Sequence, residues 1–332
     1  MSPPVTILGT GQMAVMCATM LRDNHLDVRM VGRPETIHEI QRTWESPQMP
    51  GVPISRDVKL VTSDEVSQEN PHTMDDHIFV VAVPTQAIRK ALDALGGNVF
   101  SNTVVCCSKG IEQGTFLRPS EVVEQFVSCH SVALSGPNIA SEVVQRKPAG
   151  AVVAGELAEK VELVRAAFST DYFRVYTNDD IIGVELAGAL KNVIALAAGI
   201  IDGLQLGDNA KASLIARGLV EITRFGTELG AKPETFHGLA GMGDLITTCI
   251  SPHGRNRTVG QRIGQGETLD DILADLGSVC EGVPTTKAVL QIAQRERVEM
   301  PICSAVASIL FDGRDVREVL LELMTREPKA ES

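Results

Sequence analysis

"VTILGTGQMAVMCATMLRDN", residues 5–24, opens with a β-branched apolar run that ends at Gly9 and continues with apolar residues at helical spacing as far as Asn24. A short apolar run closed by glycine reads as a buried strand, and the segment after it reads as a helix. At their junction "GTGQMA" (9–14) matches G-x-G-x-x-G/A. Gly9 permits a tight turn, Gly11 lets the main chain approach a pyrophosphate, and Ala14 is small enough for close helix–strand packing. The helix N-terminus then faces the phosphate charge. Alone, this pattern could be a simple glycine turn; its place at the first strand of an alternating series makes it a dinucleotide site.

That series runs outward from here. "DVRMV" (27–31), "VKLVT" (58–62), "HIFVVAV" (77–83), "TVVCCS" (103–108) and "SVALSG" (131–136) read as strands, with helical segments such as "TQAIRKALDAL" (85–95) and "RPSEVVEQFVS" (118–128) between most of them. Strands alternating with crossover helices predict an α/β, Rossmann-type, parallel and doubly wound sheet. A further strand–helix–strand piece ends at "FRVYT" (173–177), after which the segments are long and helical. "NDD" (178–180) is an N-cap cluster. It sets the expected boundary between a dinucleotide-binding domain, 1–178, and an all-α substrate and catalytic domain, 179–332. The ends, "MSPP" and "REPKAES", are expected to be the least ordered parts.

Composition narrows the partners. A formal net charge of −12 argues against nucleic acid, whose binding shows as clustered lysine and arginine, but a small anionic ligand needs only a few local cations. The seven cysteines include no C-x-x-C, and the nearest histidines in sequence, His72 and His77, form no ligand pattern, so no metal is expected. Neither a signal-peptide pattern nor an uncharged apolar run of about 18 residues is present, which predicts a cytoplasmic protein without membrane insertion.

At the end of the second strand an acid would hold a ribose 2'-hydroxyl, whereas arginine suits a 2'-phosphate. "VGRPE" (31–35) offers Arg33, with the first acid, Glu35, beyond a proline. The expected cofactor is therefore NADPH, with NADH left open.

Segment 180–203, "DIIGVELAGALKNVIALAAGIIDG", is apolar nearly all round and should be a buried helix, yet it carries Lys191 with Asn192 beside it. On helical spacing Lys191 neighbours Ala187, Gly188, Ile194 and Ala195, which leaves room for a ligand. Burial would lower its pKa and fit it to exchange a proton near neutral pH. The plainer readings are a lysine reaching out to solvent, or one paired with a buried acid such as Glu185.

Downstream, "GLAGMGDLITTC" (238–249) sets Asp244 among glycines and aliphatics with Thr247 and Thr248 after it, and "HGRNRTVG" (253–260) supplies Arg255, Asn256 and Arg257 in an expected loop. A carboxylate can orient a lysine, and arginine with asparagine suits a phosphate ester. "CCSKGI" (106–111) ends a strand with Lys109, and "LSGPNIA" (134–140) ends another with Gly136 and Asn138. Ligands of open α/β sheets sit at such carboxyl ends.

These blocks, with "VAVPTQ" (81–86), "SKGIE" (108–112), "GVELAGALKNVIA" (183–195), "ARGLVEITRFG" (216–226) and "VCEGVPTTKAV" (279–289), resemble the bacterial type of NAD(P)-dependent glycerol-3-phosphate dehydrogenase over nearly the whole chain. The resemblance implies reduction of dihydroxyacetone phosphate to sn-glycerol 3-phosphate for phospholipid synthesis, by a Rossmann domain followed by a helical one. It implies Lys191 as the proton donor and acceptor, with Asp244 beside it and Lys109 touching both cofactor and substrate. The substrate would further meet Gly136, Asn138, Arg255 and Asn256, with Asn192 and Thr248 from the same blocks. Besides Gly9 and Gly11, the cofactor would be lined by Gln12, Met13, Arg33, Ala140, Val279 and Glu281, with Arg255 serving both ligands. A homodimer is what the family suggests. Three positions depart from the family pattern: Asn138 and Gly254 stand where small hydroxyl residues are usual, and Met13 where an aromatic is frequent. Two rival readings use the same residues: a reductase of this fold acting on another phosphorylated ketone or keto acid, and a non-catalytic NADP-binding sensor.

Overall fold

The computed structural model describes residues 3–69, 77–97, 101–127, 129–277 and 279–327. His72, Met1, Ser2, Ser128 and residues 328–332 lie outside them. Every residue of β1 (Val5–Leu8) is buried, as a strand covered by helices on both faces requires. α1 (Gln12–Asp23) and β2 (Val28–Gly32) follow, and β2 pairs in parallel with β1. The chain continues through α2 (Pro34–Thr43), an antiparallel ribbon of β3 (Glu45–Ser46) and β4 (Met49–Pro53), then β5 (Lys59–Thr62), α3 (Ser63–Ser67) and β6 (Ile78–Val81). Next come α4 (Ile88–Asp93), β7 (Thr103–Cys106), α5 (Pro119–Glu124), β8 (Ser131–Ser135), α6 (Ala140–Val143), β9 (Ala149–Ala154), α7 (Ala158–Phe168) and β10 (Phe173–Asn178).

Eight strands form one sheet in the order β10-β9-β8-β7-β6-β1-β2-β5. The chain winds outward from β1 in both directions, so the crevice between the ends of β1 and β6 is the topological switch point where such sheets take ligands. Alternate residues of β1 serve opposite layers: Val5 and Ile7 pack with α1 and α7, and Leu8 packs with α4 and α5.

In this first half two features differ from the sequence reading. β8 and β9 pair antiparallel. Only the four-residue α6 lies between them; at ~1.5 Å per residue it rises about 6 Å, too little to carry the chain back along a five-residue strand. The ribbon β3–β4 was not foreseen, because its prolines (Pro47, Pro50, Pro53) argue against strand. It lies against the glycine loop: Ser46 Oγ donates to the Thr10 carbonyl at 2.6 Å and Gln12 Nε2 donates to the Gln48 carbonyl at 3.0 Å.

Among the described residues no strand follows Asn178. The helices are α8 (Ile181–Gly203), α9 (Gly207–Glu228), α10 (Pro233–His237), α11 (Asp244–Ile250), α12 (Arg255–Gly264), α13 (Leu269–Leu276), α14 (Gly282–Glu296), α15 (Pro301–Asp312) and α16 (Val316–Met324). Asp180 begins α8 as its N-cap, its carboxylate accepting from the Gly183 amide at 2.9 Å. By length and composition alone α8 could cross a membrane, but 83% of its apolar window is buried inside the protein, where it forms the axis of the second core.

α12 crosses α8 at main-chain contact distance. A Cβ on Gly260 would lie 2.0 Å from the Leu196 carbonyl oxygen, and one on Gly199 would lie 2.0 Å from that of Arg257. Gly203 and Gly264, one turn further along each helix, meet in the same way. Arg255, Asn256 and Arg257 accordingly form the first turn of α12 rather than a loop. Val259, Gly260 and Ile263 are its buried face, and that packing outweighs the local turn signal of "HGRN".

Candidate active site

Lys191 lies mid-way along α8 and is 6% exposed. Its Nζ donates to Asp244 Oδ1 at 2.6 Å and to Thr248 Oγ1 at 2.7 Å, both on α11. Asp244 and Thr248 are four residues apart and therefore share a helix face. The Thr248 hydroxyl donates back to the Asp244 carbonyl at 2.7 Å, which turns its lone pair toward the lysine. Glu185, the alternative acid, is elsewhere: it accepts from Arg118 Nη1 and Ser120 Oγ at 2.6 Å and from the Ser120 amide at 2.8 Å, tying α8 to the start of α5.

Lys109, just beyond β7, approaches Asp244 from the sheet side. Its Nζ donates to Asp244 Oδ2 at 2.8 Å, to the Gly136 carbonyl at 3.0 Å and to Asn138 Oδ1 at 3.0 Å. Gly136 can turn its carbonyl inward only because it has no side chain: its φ is +142° and a Cβ would sit 2.8 Å from Ala151 Cα. An ammonium has three N–H donors, so Lys109 is fully engaged by protein, whereas Lys191 keeps one donor free.

Two ammonium groups share one carboxylate, which leaves the cluster net positive and suited to an anion. Burial works to raise the Asp244 pKa, but Lys109 and Lys191 hold it below the ordinary range. Burial drives the Lys191 pKa down to about 8; Asp244 opposes that fall and the charge of Lys109 assists it. Asn138 Nδ2 is buried with no protein partner, an unused donor beside this cluster. Arg255 is exposed at the first position of α12, whose N-cap, Gly254, supplies no side-chain cap.

Asn192 and Asn256 are buried beside the lysines, but their amides are already engaged by protein. Asn192 Nδ2 donates to the carbonyls of Lys109 at 3.0 Å and Gly188 at 3.3 Å, and Asn256 Nδ2 donates to Asn192 Oδ1 at 2.8 Å.

The residues at the switch point fit a dinucleotide. Gly9 has φ +132°, and a Cβ there would lie 2.5 Å from the Ala82 carbonyl oxygen. Gly11 is the extended N-cap of α1 with no side-chain cap, so the first-turn amides of a 12-residue helix face the crevice. Gln12 is exposed and Met13 half-buried at its start. Arg33 follows β2 with its side chain 75% exposed, 3.7 Å from Glu35. Ala140 is buried at the start of α6, and Val279 is 45% exposed. Glu281 is the N-cap of α14, and its Oε1 accepts from the Thr85 amide at 2.8 Å. Burial raises its pKa to about 7, against the pull of that amide and of Arg255. Its Oε2 and the Thr85 hydroxyl are buried without partners.

Sequence reasoning missed Thr85, Ser46 and Gln48. A threonine after a strand carries no distinguishing signal, and the ribbon that presents the other two was hidden by its prolines.

The chain is similar to known proteins over nearly its whole length. Residues 4–161 match the family model described as NAD-dependent glycerol-3-phosphate dehydrogenase N-terminus, and residues 180–321 match that of the C-terminus. The chain belongs to this family. A Bacillus cytotoxicus protein named glycerol-3-phosphate dehydrogenase (NAD(P)+) is 44% identical over 335 residues, which cover 98% of this chain and 96% of the relative. A Chlorobium phaeobacteroides protein of the same name is 42% identical, covering 98% of each. The crystal structure of glycerol-3-phosphate dehydrogenase from Coxiella burnetii superposes with a TM-score of 0.90 at 31% identity, covering 98% of this chain and 99% of that one.

Proposed function

We propose that this chain reduces dihydroxyacetone phosphate to sn-glycerol 3-phosphate, reversibly, with NADPH as the favoured cofactor and NADH as an alternative. The observation that carries the reading is the free N–H of buried Lys191 beside Asp244. A bound nicotinamide would supply the hydride that the carbonyl carbon receives. Charge then develops on the carbonyl oxygen, and Lys191 both stabilises it and delivers the proton that completes the alcohol. Asp244 and Thr248 hold the lysine in place; Lys109, Gly136 and Asn138 shape the substrate pocket; Arg255 and the first turn of α12 receive the phosphate. Gly9, Gly11, Gln12, Met13, Ala140, Val279 and Glu281 line the cofactor, with Arg33 placed for a 2'-phosphate. The product feeds phospholipid synthesis in the cytoplasm, and the working assembly is a homodimer.

A substrate panel tests the chemistry. With NADPH, dihydroxyacetone phosphate should give the highest kcat/KM among small phosphorylated ketones and keto acids. A better substrate from another of these classes would replace the assignment and leave the lysine chemistry standing. Sedimentation at enzyme concentrations used for assay checks the dimer.

A further inference from the structure

Asp244 is aimed by the turn that precedes it. The Gly243 amide donates to the Gly238 carbonyl at 3.1 Å, and the Asp244 amide donates to that of Leu239. Both bonds span five residues, so residues 239–243 form one π-helical turn that runs directly into α11. Such a turn holds one residue more than an α-turn. At ~100° per residue, that extra residue decides which side of α11 looks inward. Asp244 and Thr248 face Lys191, while Met242, Ile246 and Ile250 are exposed on the opposite side.

The turn is held between two packed surfaces. On one side is α10, whose Phe236 is fully buried with its ring against α9: a Cβ on Gly226 would lie 2.1 Å from the ring Cζ. Asp180 secures the start of α10, accepting from the Lys232 amide at 2.9 Å and from Thr235 Oγ1 at 2.6 Å. Gly241 passes over the Phe236 main chain so closely that a Cβ would lie 2.1 Å from its carbonyl oxygen. On the other side Ala240 is buried among Ala133 and Val152 of the sheet and Ile181 and Val184 of α8. We infer that Gly241 is a positioning residue for the reaction proposed above: by letting the π-helical turn rest on Phe236, it places the Asp244 carboxylate between Lys109 and Lys191 and so governs proton transfer from Lys191.

Displacing that carboxylate has a signed consequence. Asp244 works against the effect of burial on Lys191, Lys109 adds to that effect, and the Cys249 thiol on α11 opposes it more weakly. Charged groups of the other elements around α8 turn elsewhere: Lys211 of α9 and Arg257 of α12 to Asp202, Glu221 of α9 to the Ile302 and Cys303 amides, and Glu281 before α14 to the Thr85 amide. Arg255 is exposed. A carboxylate moved away from Lys191 therefore lets the ammonium lose its proton at lower pH.

The test is the pH profile of kcat/KM for dihydroxyacetone phosphate with NADPH. In the wild type it should fall as pH rises through about 8. In Gly241→Ala the fall should come about one pH unit lower. That variant should then be about tenfold slower than wild type at about pH 9 and within about threefold of it at about pH 6. Gly238→Ala is the control: a Cβ there would meet the Thr235 carbonyl oxygen at 3.5 Å, an ordinary contact, and its profile should match the wild type. Phe236→Leu lowers the seat of the turn without a clash and should move the profile the same way by less, so it carries the test if melting curves show Gly241→Ala unfolded. A rate lowered by the same factor at every pH, in whichever of these two variants is folded, would make the turn merely structural and overturn the inference, leaving the substrate reading intact. A profile moved equally in Gly238→Ala would do the same. No turnover of dihydroxyacetone phosphate by the wild type would remove the substrate reading, and this inference with it.

Discussion

At Lys191 the chemistry depends on which protons are already committed. Lys109 gives all three to protein acceptors, and Lys191 gives two. The Lys191 pKa of about 8 fixes the sign of the pH response. Reduction needs the ammonium, so its kcat/KM should fall as pH rises through about 8, and oxidation of the alcohol, which needs the free amine, should rise over the same range. Parallel pH profiles in the two directions would deny the lysine its role. Arg33, being exposed and paired only loosely with Glu35, has its charge available for a ligand phosphate. Arg33→Ala should raise the KM for NADPH by about tenfold or more, the worth of one charge-assisted contact, and leave that for NADH nearly unchanged, as initial rates with each cofactor would show. A charged residue in an apolar helix was legible from sequence alone. Its partner Asp244, 53 residues away, was reached through the family resemblance, while helical spacing alone also left Glu185, six residues along the same helix, as a possible acid.

The elements place these residues through close main-chain packing. α8 carries Lys191 and Asn192, α12 carries Arg255 and Asn256, and the two meet at Gly199, Gly203, Gly260 and Gly264. Gly260→Ala would gain about 1 kcal/mol of helix propensity, but its methyl would fall 2.0 Å from the Leu196 carbonyl oxygen, a fixed main-chain atom. Overpacking against a fixed main-chain atom falls at the upper end of the usual range, about 3 kcal/mol, so chemical denaturation should show a net loss of about 2 kcal/mol. Because the shift moves the first turn of α12, the KM for the phosphorylated substrate should rise as well. A stabilised variant with unchanged KM would mean that the helices are not held this closely. Strands were legible as short apolar runs and α8 as a long apolar segment, and "NDD" marked the start of α8 correctly. The antiparallel turn after β8, the ribbon β3–β4 and the start of α12 were not, since each depends on tertiary packing that overrides local turn and proline signals.

Across the whole molecule the site exists only where the two halves meet. The sheet contributes Lys109, Gly136 and Asn138, the helices contribute Lys191, Asp244 and Thr248, and Asp244 binds both lysines. Arg118 and Ser120 on Glu185, and Thr85 on Glu281, fasten the halves on either side of it. The glycine fingerprint and the order of strands and helices made the architecture readable from the chain. The family resemblance named Lys109, Lys191 and Asp244 together, but the bonds that join them are seen only in three dimensions, because nothing in a linear pattern says which strand end faces which helix. The most direct test of the account is NADPH oxidation with dihydroxyacetone phosphate by the wild type and by Lys191→Ala, with NADPH binding measured alongside. The wild type should turn over saturably and the variant should show a fall in kcat of about 10²–10⁴-fold, with NADPH affinity retained. Turnover by Lys191→Ala within a few-fold of wild type would contradict it.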